Sequence, residues 1–119
     1  MNKGRKISGG KYHADRKKKS YETTSQEKVV ILGKTKRKII RVMGGAKKTI
    51  LLSTNVANIS DGKSIKKVEI LNVVETPQNS FLARQNRLMK GVIIETSAGK
   101  ARITNRPARE GSVNAVLVE

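Results

Sequence analysis

Cysteine is absent from the 119 residues, which excludes disulfides and thiolate metal sites and leaves an intracellular compartment open. Histidine occurs once, as His13, so no histidine metal centre can be assembled either. The aromatics are only Tyr12, Tyr21 and Phe81, too few for a platform on which successive bases stack. Long hydrophobic runs are missing as well. The stretches Val29-Val30-Ile31-Leu32 and Ile50-Leu51-Leu52 fall far short of the roughly 20 residues a membrane helix needs. No secretory apolar segment follows Met1. An interfacial membrane helix is disfavoured because the basic N-terminal stretch has almost nothing apolar to bury.

Acidic side chains are also scarce, 9 against 26 basic ones, and the resulting net charge of +17 on 13.1 kDa far exceeds what solubility requires. Such a surface repels itself unless a polyanion neutralises it, and nucleic acid is the polyanion that remains. The apolar residues that are present favour strands: Ile and Val together number 22 and Leu seven.

The chain suits one small domain plus a tail. Before residue 29 the only sizeable aliphatics are Met1 and Ile7, so residues 1–28 cannot offset their ordering entropy and are expected to form a basic arm, disordered when free. That arm carries Lys3, Arg5, Lys6, Lys11, Arg16, Lys17, Lys18 and Lys19. Residues 1–48 have a net charge of +13 and residues 49–119 only +4.

Residues 29–119 read as a mainly β core, a single small antiparallel barrel-like domain with one short helix. Strands are expected near 28–33, 37–43, 46–55, 66–75, 90–97, 100–105 and 112–118. Gly44-Gly45 and Ser97-Ala98-Gly99 are hairpin signals, and Asp61-Gly62 marks an exposed connection. Within 66–75, strict alternation puts Val68, Ile70 and Val74 on one face. Thr76 and Pro77 predict the start of the helix, which would carry Phe81 and Leu82 and end before Gly91.

Beyond the arm, basic residues cluster at Lys34, Lys36, Arg37, Lys38 and Arg41, at Lys47 and Lys48, and at Arg102, Arg106 and Arg109. A run of charge is usually a solvated face, but such faces mix signs, and no acid lies between Val29 and Ile59. Phosphate binding by these clusters is the stronger reading. Gly9-Gly10 and Gly44-Gly45 suit either tight turns or close backbone approach to phosphate, and neither fits the spacing of a nucleotide-binding loop. Tyr12 and His13 are as well explained as spacers as by stacking on unpaired bases. His13 with Asp15 lies in a floppy arm, where holding a reacting geometry is costly. Glu69 and Glu75, six apart on a strand, stand about 20 Å from each other at ~3.3 Å per residue, too far for paired acid/base work. No enzyme activity, cofactor, metal or small-molecule substrate is expected.

Arg5-Lys6-Ile7-Ser8-Gly9-Gly10, followed by Arg16-Lys17-Lys18-Lys19 and Tyr21-Glu22, resembles the N-terminal signature of the archaeal and eukaryotic small-subunit ribosomal protein family called S eight e. Arg41-Val42-Met43-Gly44-Gly45-Ala46-Lys47-Lys48 is similar to its Arg-x-x-Gly-Gly-Asn-x-Lys stretch, with Ala46 in place of Asn. Gly99 to Pro107 and Val113 to Leu117 resemble its C-terminal end. The short length resembles the archaeal form. The resemblance implies a β-rich core docked on small-subunit rRNA in the cytoplasm, a basic arm threaded between rRNA helices, and neighbouring ribosomal proteins as partners. A related branch serves in eukaryotic ribosome assembly. An assembly factor and a nucleoid-type DNA binder are the rival readings.

Overall fold

The structure, a computed structural model, describes residues 4–24 and 26–118. Val30, 2% exposed, is the first aliphatic side chain to be buried, one residue beyond the expected start of the core. Strands β1 (Ile31–Leu32), β2 (Lys36–Arg41) and β3 (Lys47–Thr54) form a sheet in the order β1-β3-β2. β1 runs parallel to β3 and β2 antiparallel to it. Gly44 and Gly45, both at φ +82°, turn β2 into β3, as the glycine pair predicted. The remaining strands, β4 (Val56–Ser60), β5 (Ile65–Glu75), β6 (Ile93–Thr96), β7 (Gly99–Ile103) and β8 (Asn114–Leu117), close into a barrel in sequence order.

The four successive barrel pairings are antiparallel, and β8 closes parallel onto β4. This follows from parity, because a meander of five strands ends pointing the way it began. So narrow a barrel needs small side chains inside. Ala101 stands opposite Ile94, while Ala115 stands opposite both Ile59 and Ile103, and all five are essentially inaccessible.

β4 has no counterpart among the expected strands. The strand expected over 46–55 ends at Thr54, and Asn55 separates it from β4: its carbonyl accepts from the Ile70 N–H at 2.8 Å and its amide donates to Glu69 at 3.0 Å. The alternation expected in β5 is also interrupted. Register shifts after Ile70 and after Val73 move the inward phase, so Ile70 and Val73 are buried whereas Val74 points out.

The expected helix starts later than Thr76. It is α1 (Ser80–Arg84), capped by Asn79, whose Oδ1 accepts from the Phe81 N–H at 3.0 Å. Thr76 is instead buried, with no described partner for its hydroxyl. A second helix joins it, α2 (Pro107–Glu110), a single turn begun by Pro107 and ended by Gly111 at φ +74°. At Gly111 a Cβ would lie 3.4 Å from Thr49, so this turn packs directly on β3.

Residues 4–24 are exposed throughout. The hydrogen bonds described for them stay local, as in Arg5 to the Gly9 carbonyl at 3.0 Å, Lys6 N–H to the Gly10 carbonyl at 2.9 Å, and the pairing of Arg16 with Glu22. The extents of 71 × 37 × 25 Å and radius of gyration of 21.0 Å match this extended segment. A compact chain of this length would have a radius near 13–14 Å.

Candidate nucleic-acid interface

The β2–β3 hairpin carries the densest charge of the core. Seven basic residues lie between Val29 and Ile59, and the nearest acids along the chain are Glu27 and Asp61. Register decides which of them meet. Arg41 stands directly opposite Lys47, Ile40 opposite Lys48, and Lys38 opposite Ile50. Like charges placed opposite each other destabilise a strand pair. The Arg41–Lys47 pair therefore costs the hairpin stability unless an anion lies over it.

Arg37 has a second role. Its Nε donates to the Gly111 carbonyl at 3.1 Å, tying the sheet to the α2–β8 turn. It also lines a cavity of about 290 Å³ between sheet and barrel, shared with Thr35, Asn58, Lys67 and Ser112. Lys67 was not singled out from the sequence, because Lys66-Lys67 followed by Glu69 reads as an ordinary mixed-sign strand face. Only the pairing of β4 with β5, which sets Lys67 opposite Asn58, brings it toward Arg37.

Arg109 joins Lys48 across a groove of about 470 Å³ that also includes Glu27, Lys28, Ile40 and Val42. Glu27 lies 3.6 Å from Arg87. Lys34 and Lys36 flank the turn into β2, where the Lys34 carbonyl accepts from Ser53 at 2.6 Å. Arg106 begins α2, its N–H donating to Glu110 at 3.3 Å; hydrogen bonds from Asn105 and from this N–H hold the Glu110 carboxyl below its ordinary range. Arg102 stands apart on the outer barrel wall, opposite Ile93 and Val116, in neither groove.

In the arm, Arg5, Lys6, Lys11, Arg16, Lys17, Lys18 and Lys19 are exposed, and Lys3 lies outside the described residues. Arg16 grips Glu22 through both terminal nitrogens, at 2.6 and 2.9 Å, and together with the Lys19 N–H this holds the Glu22 carboxyl below its usual range. Lys6 sits 5.7 Å over the Tyr12 ring, a cation–π contact that gives Tyr12 a partner within the arm. Glu69 and Glu75 both fall on β5. Among the described residues no group of three acidic or histidine side chains could hold a metal, and no helix is long and apolar enough to cross a membrane.

A small closed barrel, a cationic hairpin beside it and a basic arm define a class, that of small β-barrel proteins with a strongly basic surface. Comparison with known proteins makes the class specific: the family described as ribosomal protein S8e matches residues 1–118, and the chain belongs to it. Similar proteins named small ribosomal subunit protein eS8 come from the archaea Methanococcus aeolicus, Methanocorpusculum labreanum and Halorubrum lacusprofundi. The first is 46% identical over 117 residues, covering 96% of this chain and 91% of the relative. The second is 44% identical over 117 residues, with 97% and 94% covered, and the third 43% identical over 115 residues, with the same coverage.

Proposed function

We propose that the protein is a structural component of an archaeal-type small ribosomal subunit in the cytoplasm, binding and stabilising small-subunit rRNA beside neighbouring ribosomal proteins. Its work is charge neutralisation rather than turnover. Lys and Arg relieve repulsion where rRNA helices crowd together, the arm reaching between them while the core fixes where the arm begins. The reading rests above all on the hairpin: six cations without an acid, with Arg41 set against Lys47, form a surface that is incomplete until an anion covers it. The names of the relatives support the ribosomal setting.

In this reading residues 1–28 are a separable arm and residues 29–119 the docking core. An arm that orders only on RNA gives up some affinity, yet wraps surfaces a globule cannot reach. The test is footprinting and binding of in vitro transcribed small-subunit rRNA. If 6–10 phosphates are engaged, affinity falls by about 10³–10⁵ between roughly 50 and 200 mM salt. Removing residues 1–22 is expected to leave the core folded and its footprint in place, with weaker binding and a shallower salt slope. A flat salt response, or loss of the core footprint together with the arm, would overturn this division of labour. Sedimentation of cell lysate separates a resident subunit protein from an assembly factor or a DNA binder, since only the first stays with finished subunits.

A further inference from the structure

The hairpin that closes β2 on β3 ends in a bare apolar tip. Met43 is 99% exposed, Val42 is 37% exposed, and Ile39 on β2 is 66% exposed. Turn formation does not explain them, since Gly44 and Gly45 supply the positive φ the turn needs, and the Val42 N–H to Ala46 carbonyl bond at 2.8 Å closes it. The space around the tip is open as well. A Cβ at Gly44 would meet nothing within 4 Å, and one at Gly45 only the Arg41 guanidinium at 3.8 Å.

An unbranched thioether is the side chain best able to fill an irregular surface, and apolar wedges flanked by cations recur where proteins part stacked bases. Here the cations stand at the base of the tip, Arg41 and Lys47 opposite each other and Lys48 next in line. We propose that Met43, supported by Val42, is an RNA-reading wedge: it packs on the face of an unpaired or bulged base while Arg41, Lys47 and Lys48 take the flanking phosphates. A protein partner fits less well. Interface cores are depleted in Lys, and two of the three cations at the base of this tip are Lys47 and Lys48.

The proposal rests on the RNA reading above and deepens it, because charge alone supplies affinity without position whereas a wedge fixes register. Its signature is a contact that ignores salt. The probe is in vitro transcribed small-subunit rRNA of Methanococcus aeolicus, titrated with the full chain at several salt concentrations. Met43→Ala is expected to weaken binding about tenfold, the scale of one lost apolar side-chain contact, without changing the salt slope, since a thioether releases no counterion. Met43→Leu should largely restore affinity. Lys47→Ala should instead reduce the slope by about one. Chemical probing of nucleotide flexibility should show one unpaired nucleotide quiet with the parent protein and reactive with Met43→Ala. The wedge is wrong, with the RNA reading intact, if Met43→Ala binds within about twofold of the parent while Lys47→Ala is weakened. Loss of incorporation into reconstituted subunits without loss of rRNA affinity would overturn it too, by identifying a protein as the occupant. Absence of binding by the parent chain would remove both readings together.

Discussion

The barrel and the three-stranded sheet are built by the same pairing rules from the same residue types, yet only one of them finishes its own surface. In the barrel, Ile59, Ile94 and Ile103 meet Ala partners inside, and the outward positions mix Lys and Arg with Glu69, Glu75 and Glu95. In the sheet, Leu51 is buried against the barrel, but toward the turn Ile39 and Met43 face solvent and Arg41 opposes Lys47. A strand pair that leaves aliphatics wet and like charges opposed is not optimised for its own stability. The difference separates what the chain needs in order to fold from what it needs in order to bind.

The contrast is broken most sharply by removing one isoleucine from each side. Ile94→Ala should cost about 2–5 kcal/mol, because Ile94 is fully inaccessible and its cavity cannot collapse against Ala101. Ile39→Ala should change stability by less than about 0.5 kcal/mol, the range of ordinary surface substitutions. Urea unfolding followed by circular dichroism measures both, and equal costs would erase the distinction.

Arg37→Ala acts at the seam between the two regions. The lost bond to the Gly111 carbonyl has a charged donor, worth about 1.5–3 kcal/mol, so stability should drop by an amount near the lower end for a partly exposed contact. Hydrogen exchange should rise in β2 and around Gly111 while β6 and β7 keep their protection. Uniform loss of protection would mean that sheet and barrel unfold as one unit.

A further small effect has the opposite sign. Lys47→Glu turns the like-charge pair with Arg41 into an attractive one and should stabilise the hairpin by roughly 0.2–1 kcal/mol. The same change should weaken rRNA binding and flatten its salt slope, since a phosphate-facing cation becomes an anion. A variant both more stable and equally tight in binding would show that the pair has no anion to hold.

Sequence reasoning reached the β class, the glycine hairpin and the family, because composition, turn chemistry and motif order are local properties. It missed what depends on register. Lys67 comes to line one cavity with Arg37 through the pairing of β4 with β5, and β4 itself was hidden because Asn55 makes its break through contacts with Glu69 and Ile70, far along the chain. Two bulges in β5 turned Val74 outward, and a bulge leaves no mark on an alternating run of Val, Ile and Leu. Thr76 preceded Pro77 as a helix cap should, yet the cap proved to be Asn79 three residues later. Met43 went unweighed because a methionine at a turn carries no charge to notice.

The parallel seam between β4 and β8 also sets an order in time. Asn58 pairs with Asn114 and Ser60 with Val116, so the ring cannot be sealed until nearly the whole chain has left the ribosome that makes it. The arm and the β2–β3 hairpin emerge first, and at about 5–20 residues per second they precede the sealing strand by several seconds. During that interval the nascent protein is cationic and exposed while its ring is still open. A partner that captured the hairpin early would therefore meet a chain whose β4–β8 seam is not yet formed.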